Sequence, residues 1–241
     1  MKGDGSCDDQ GGLSEKAQNT VDEGAPWVRK KWSHVLAQRT LGLGCYLFLV
    51  VPYLREVEGL DDLPEDGHFL YLSNHVSLLD TLLLGGIFWS RKRYPILVLG
   101  DRAVWQRSWI RRLLSAKLGF LIERGKPTKA RLAELETFGR SCADFDLVVF
   151  PEGTRGDGRQ VRRCQPGVFF VAQAARVPIV PIFIHNLQLV STKEGGFHPF
   201  QGFKKLRVRF GQPIAPEAYL DLDREQFAAT VRKKIQDLAP D

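Results

Sequence analysis

The chain has 241 residues, 44% of them apolar and 26% charged, with a formal net charge of +6. That length supports one sizeable core or one core with an appended element, and the balance excludes fibrous and wholly disordered classes. The positive excess points to an anionic partner, with membrane surface, nucleic acid and acidic cofactor all open. Cys7, Cys45, Cys142 and Cys164 show no metal-ligand spacing and read as free thiols.

Residues 1–25 are polar, acidic and glycine-rich, and read as a disordered tail without the basic-then-apolar pattern of a secretory signal. The character changes at Trp27-Val28-Arg29-Lys30-Lys31-Trp32. Two indoles flanking three cations suit a headgroup-level anchor, although an ordinary basic turn has the same composition. The apolar run Leu41–Leu54 follows. As a helix it would reach about 21 Å, short of the ~30 Å hydrocarbon core. Gln38 and Arg39 bound it upstream, Pro52 weakens its end, and Arg55 and Glu56 close it. It is expected to pack on a core or dip into one leaflet, and the basic-aromatic run favours the leaflet.

From residue 59 the pattern alternates. Strands are expected at Phe69–Ser73, Pro95–Leu99, Gly119–Ile122, Leu147–Phe150, Ile179–Ile184 and Leu206–Phe210. Leu132, Leu135, Phe138 and Cys142 share one helical face, as do Phe227, Val231, Ile235 and Leu238. This predicts an α/β fold with a largely parallel or mixed sheet flanked by helices on both faces. Between the second and third strands, Trp105 and Trp109 lie one turn apart among Arg102, Arg107, Arg111 and Arg112. A single Trp-Arg helix there would suit a membrane surface or nucleic acid, or a core face with a solvated basic side. Val177-Pro178-Ile179-Val180-Pro181-Ile182 carries two prolines, so its first half is expected to be an extended wall and not a central strand.

The chemistry concentrates at strand ends. Asn74-His75-Val76-Ser77-Leu78-Leu79-Asp80 lies where the first of these strands turns into a helix, the crevice where open α/β sheets bind ligands. Residues five apart on a helix are about 140° apart, so His75 and Asp80 meet only if His75 is in the turn and Asp80 in the first helical turn. A carboxylate there fixes the imidazole tautomer and leaves the other nitrogen to take a proton. Ser77 to Asp80 also fits a capping box, which would need no catalysis. Arg124 and Gly125 follow the Gly119–Ile122 strand. Pro151-Glu152-Gly153-Thr154-Arg155 follows Leu147–Phe150, supplying an acceptor, a close-approach glycine, a hydroxyl and a fork suited to phosphate. Two arginines facing a His-Asp pair imply an anionic substrate whose hydroxyl is deprotonated by the His.

These four blocks, NHVSLLD, FLIERG, FPEGTR and VPIVPI, resemble in order and separation those of the glycerolipid acyltransferases, most closely the bacterial 1-acyl-sn-glycerol-3-phosphate (lysophosphatidic acid) branch. The resemblance covers roughly residues 59 to 215. It implies that His75, oriented by Asp80, deprotonates the free hydroxyl of a lysophospholipid, which attacks an acyl-CoA or acyl carrier protein thioester. Arg124 and Arg155 would bind phosphate, and Glu152, Gly153 and Thr154 would shape the pocket. It implies no metal or redox cofactor, no nucleic acid, and work at an anionic membrane surface on the cytoplasmic face as a peripheral or monotopic protein. The organisation implied is tail 1–25, basic-aromatic and apolar membrane-associated helical element 26–58, and acyltransferase domain 59–241. The chain departs from the pattern at Gln165-Pro166, where many members carry a Lys before the glycine that opens the next helix. Another lysophospholipid or lyso-ornithine lipid therefore stays open as acceptor. So do glycerol 3-phosphate and a non-catalytic lipid-binding role. A thioesterase lacks support, because no Gly-x-Ser-x-Gly nucleophile motif is present.

Overall fold

The computed structural model describes residues 31–240 apart from 124, 126, 127 and 193–195. The tail, most of the basic-aromatic run and Arg124 therefore lie outside the described residues. Seven strands form one sheet: β1 (Leu54–Glu58), β2 (Leu70–Ser73), β3 (Ile96–Asp101), β4 (Gly119–Ile122), β5 (Asp146–Val149), β6 (Ile179–His185) and β7 (Leu206–Phe210). Their order is β1-β7-β6-β2-β5-β3-β4. Every neighbouring pair is parallel except β6 with β7. The fold is α/β, with helices on both faces of a mixed sheet.

β2 is buried along its length because both of its faces are covered. Tyr71 packs with Phe88 and Phe210 on one face, while Leu70 and Leu72 join Phe138, Phe183 and Phe227 on the other. The first face is covered by α1 (Lys31–Cys45) and α2 (Leu79–Ser90). The second is covered by α5 (Lys129–Arg140), α6 (Gly167–Ala175) and α7 (Arg224–Gln236). Two short helices, α3 (Arg102–Trp105) and α4 (Trp109–Leu118), lie between β3 and β4.

The Trp-Arg segment is thus two helices and not one. Asp101 caps α3 by accepting from Ala103 N–H, and Ser108 restarts the chain as α4 by accepting from Arg111 N–H. The break separates the two indoles: Trp105 is buried and Trp109 exposed.

β6 is central despite Pro181, against the expectation of a wall element. Its ladder with β7 pairs Ile182 with Phe210, whereas the bridge before it pairs Ile179 with Ile214. The register slips by one residue across Pro181, where the missing N–H would otherwise have faced β7. The proline carbonyl still accepts from Gly211 N–H at 2.8 Å.

β1 was not expected at all, because its residues were read as the close of the helical element. It pairs in parallel with β7, and Glu56 and Glu58 meet Arg207 and Arg209 across the strands at 3.6 and 2.9 Å. Such half-exposed pairs contribute about 0–1 kcal/mol each, so the strand rests chiefly on its backbone ladder and on Leu54 and Val57 packed against the core.

The helix before it is longer than expected. α1 continues through a π-helical turn, Tyr46–Val50, into a last turn, Val51–Tyr53. Pro52 offers no N–H to the preceding turn, and the helix widens just before it, with Val51 N–H donating to Tyr46. The stretch Val35–Tyr53 is long and apolar enough to cross a membrane by length and composition. One side of it is nevertheless locked to the sheet domain. Gln38 donates to Ile96 C=O at 2.7 Å and accepts from Ile96 N–H at 2.8 Å. A Cβ at Gly42 would stand 2.6 Å from Trp89, and one at Gly86 2.9 Å from Tyr46 N, so the helices touch through glycines. The opposite side exposes Leu36, Leu43, Leu47, Phe48 and Val51.

Candidate active site

Parallel strands bring the C-terminal ends of β2, β3, β4 and β5 to one edge of the sheet, and the motif residues gather there. Asn74 closes β2. Its side-chain amide donates to Ile184 C=O at 3.0 Å and accepts from Ile184 N–H at 2.7 Å, clamping the chain to β6. The backbone then turns, and His75 Nδ1 meets Asp80 Oδ2 at 2.6 Å. Asp80 sits in the first turn of α2, fully buried, with His75 in the loop before it.

Asp80 serves the turn as well as the imidazole: Oδ2 also accepts from Val76 N–H at 2.7 Å and Ser77 N–H at 3.0 Å. The expected capping box does not close, because Leu78 is the N-cap and Ser77 Oγ accepts from Leu79 N–H at 3.2 Å and not from Asp80 N–H. A carboxylate that only accepts requires the proton on Nδ1 of the imidazole, which leaves Nε2 as the basic nitrogen. The ring is stacked on Phe150, centroids 4.3 Å apart and planes 22° apart, which restrains rotation about its bonds.

The loop after β5 is tied to the same turn. The buried Glu152 accepts from His75 N–H at 2.9 Å through Oε1 and from Arg162 N–H at 3.2 Å through Oε2. Gly156 N–H donates back to His75 C=O at 2.6 Å. Burial pushes the Glu152 carboxyl above its ordinary range, while the two N–H groups pull the other way. Glu152 therefore faces backbone, and its part in shaping the pocket is to brace the His75 turn. Gly153 has φ +65°, and a Cβ there would lie 2.7 Å from Gln165 Cγ. The residue that departs from the family pattern is thus seated on the glycine of the third block.

A cleft of about 170 Å³ opens beside the imidazole. His75, Thr81, Phe150, Gly153, Thr154 and Arg155 line it on one side, and the end of β3 with Asp101 and Trp105 on the other. Arg155 makes no ion pair among the described residues, so its guanidinium is available to an anion. Trp105 and Thr81 were not singled out as site residues. The Trp-Arg pattern leaves Trp105 open between a surface and a core face, and Thr81 lies one residue beyond the first motif, next to Asp80 in sequence. Among the described residues no three His, Cys, Asp or Glu side chains converge as a metal site would need.

A profile of the family described as Acyltransferase matches residues 54–185, more than half of the chain. The chain belongs to the glycerolipid acyltransferase family. The matched acyltransferase segment begins with β1 and ends with β6, so it contains the His75 turn, the Glu152 loop and the β3 wall of the cleft. The chain is 30% identical over 172 residues to a probable 1-acyl-sn-glycerol-3-phosphate acyltransferase of Mycoplasma pneumoniae, covering 69% of this chain and 64% of that one. It is 28% identical over 177 residues to the 1-acyl-sn-glycerol-3-phosphate acyltransferase of Saccharomyces cerevisiae, covering 70% and 54%. The alignments thus span between about half and 64% of these relatives' own lengths. The crystal structure of the 1-acyl-sn-glycerophosphate acyltransferase from Thermotoga maritima has the same fold, with TM-score 0.62 over 93% of this chain and 86% of that one at 16% identity.

Proposed function

We propose that this protein transfers an acyl group from acyl-CoA or acyl carrier protein to the free hydroxyl of a lysophospholipid, with 1-acylglycerol-3-phosphate, giving phosphatidic acid, as the leading acceptor. The observation that carries this is the His75–Asp80 pair, which borders the same cleft as Arg155, a guanidinium with no ion pair among the described residues. His75 removes the hydroxyl proton as the oxygen attacks the thioester carbonyl. The C–S bond breaks and the thiol leaves, taking a proton. Asp80 holds the imidazole in register and stabilises the imidazolium. Arg155 binds the acceptor phosphate by a charge-assisted fork, and Arg124, which follows the neighbouring strand β4, is the second candidate for that anion. Gly153 and Thr154 line the cleft beside it. The reading also places residues 26–58 at the cytoplasmic face of a membrane. Because Gln38 and Gly42 fix one side of the helix to the sheet domain, the outward apolar stripe lies in the membrane interface.

The departure from the family pattern at Gln165-Pro166 supports one variant of this reading, in which the acceptor is another lysophospholipid or lyso-ornithine lipid. The test is purified protein in liposomes with radiolabelled acyl-CoA and, separately, radiolabelled acyl carrier protein thioester, a panel of lysolipids, and His75→Ala alongside. Transfer to lysophosphatidic acid that disappears in the variant supports the leading reaction, and transfer to a different lysolipid supports the other. No transfer from either donor overturns the catalytic reading.

A further inference from the structure

Between β6 and β7 the chain leaves the sheet and returns, carrying three phenylalanines that the fold does not bury. Phe197 is 57%, Phe200 92% and Phe203 59% exposed. Exposed aromatics this closely spaced are unusual on a surface that meets only water.

The described residues of the segment are tied to the core. Val190 is buried in the core beneath it, Ser191 bridges Phe197, and His198 N–H donates to Val190 C=O at 2.7 Å. A Cβ at Gly202 would stand 2.1 Å from Val190, so the returning strand lies directly on that side chain. Phe200 is therefore exposed on a fixed support.

Each end of the loop is fastened to a part of the molecule already discussed. At one end Ser77 Oγ, in the His75 turn, donates to Ser191 Oγ at 2.8 Å. At the other, Lys204 N–H donates to Pro52 C=O at 3.0 Å, and its ammonium to Leu54 C=O at 3.3 Å, at the C-terminal end of the N-terminal helix. The outward stripe of that helix ends with Leu47, Phe48 and Val51 exposed just before this junction. The loop therefore joins the molecule where the exposed stripe of the helix finishes. Lys204, Lys205 and Arg55 are exposed around the junction. Aromatic rings beside cations are the composition of the headgroup region of an anionic bilayer.

We propose that the Phe197–Phe203 loop is a second membrane contact, which enters the headgroup region of an anionic bilayer beside the N-terminal helix and sets the His75 turn against that surface. The proposal rests on the reading of the chain as a membrane-surface enzyme of lipids.

The full chain carrying Cys7→Ser and Phe200→Cys would be labelled with nitrobenzoxadiazole, since Cys45, Cys142 and Cys164 are buried. It would be mixed with phosphatidylcholine vesicles with and without phosphatidylglycerol. A blue shift on the anionic vesicles, quenched by spin-labelled lipid, is expected. Phe200→Ser with Phe203→Ser should lower partitioning onto those vesicles by about tenfold or more, with acyl transfer to a monomeric short-chain lysophospholipid unchanged. Sedimentation with vesicles and no shift overturns the proposal and leaves the helix as the contact. A shift that follows protein concentration without vesicles assigns the face to a second copy and also overturns it. Failure to sediment at all overturns it too, while transfer to the monomeric acceptor would show acyl-transfer chemistry independently.

Discussion

Glu152 Oε1 accepts the backbone N–H of His75 at 2.9 Å, so the third sequence block holds the backbone of the proposed base in the first. The two blocks leave neighbouring strands, β2 and β5, which pair in parallel and deliver both loops to one edge. Gly156 N–H closes the link from the other side by donating to His75 C=O. The imidazole is thus positioned three ways: by its backbone on Glu152 and Gly156, by Nδ1 on Asp80, and by its face on Phe150.

Glu152→Gln tests that brace. An amide presents one oxygen and one NH₂ group where two N–H donors now converge, so one of the two is left facing a donor. Removing a buried acceptor costs about 1–3 kcal/mol. Thermal melting should show that loss. In steady state kcat should fall while KM for both substrates stays near wild type, because Glu152 acts through the position of His75. A rise in acceptor KM with kcat intact would instead place the carboxylate against substrate.

His75→Ala should lower turnover by about 10²–10⁴-fold, the usual worth of a general base, with little change in melting temperature. Asp80→Asn should cost comparable activity for a different reason. The amide can donate to Nδ1 and so turn the basic nitrogen away from the cleft. It should also destabilise the fold, since Val76 and Ser77 N–H depend on the same oxygen. Melting curves beside initial rates separate the two: His75→Ala inactive and stable, Asp80→Asn inactive and less stable. Activity near wild type in His75→Ala would end the mechanism.

The His75–Asp80 pair was legible in the sequence because a five-residue spacing across a strand-to-helix junction has few geometric solutions. The buried strands were legible because runs such as Leu70–Leu72 have no other place in a soluble domain. β1 was not, because Arg55, Glu56 and Glu58 break any apolar alternation and the partner strand lies about 150 residues downstream. Pro181 misled because the register slip that accommodates it depends on Ile214, a residue no local window contains. Trp105 misled because one helix ends at Gln106 and Ser108 begins another, sending one indole into the cleft and the next to the surface. Glu152 read as a pocket residue because its two partners are main-chain groups of other loops, and a backbone N–H leaves no mark in a sequence.

Arg155 lines the cleft without an ion pair among the described residues, and its expected ligand is the acceptor phosphate. Arg155→Ala should reduce kcat/KM for lysophosphatidic acid by about 10- to 100-fold, the range for hydrogen bonds to a charged group. Arg155→Lys should restore only part of this, because an ammonium keeps the charge and loses the planar fork. Kinetics with each substrate varied in turn decide the assignment. An increase confined to the KM of acyl-CoA would move Arg155 to the donor.

The last prediction concerns His185, far from the cleft on the sheet face shared with Arg207 and Arg209. Desolvation first, then those two guanidinium groups, hold its imidazole below the ordinary histidine value. Glu56 and Glu58, each paired with one of the arginines, weaken that repulsion but leave desolvation, the larger cause, in place. Protonation thus favours the unfolded chain. The stability this histidine contributes is full above its unfolded pKa of about 6.5 and is lost as pH falls through the lower folded value. His185→Gln keeps a polar side chain and removes the titration. Melting temperatures measured from about pH 7.5 down to about pH 5 should therefore fall more steeply for the wild type than for the variant. Parallel curves would mean that His185 accepts its proton as readily folded as unfolded, and that Glu56 and Glu58 neutralise the two arginines at this position.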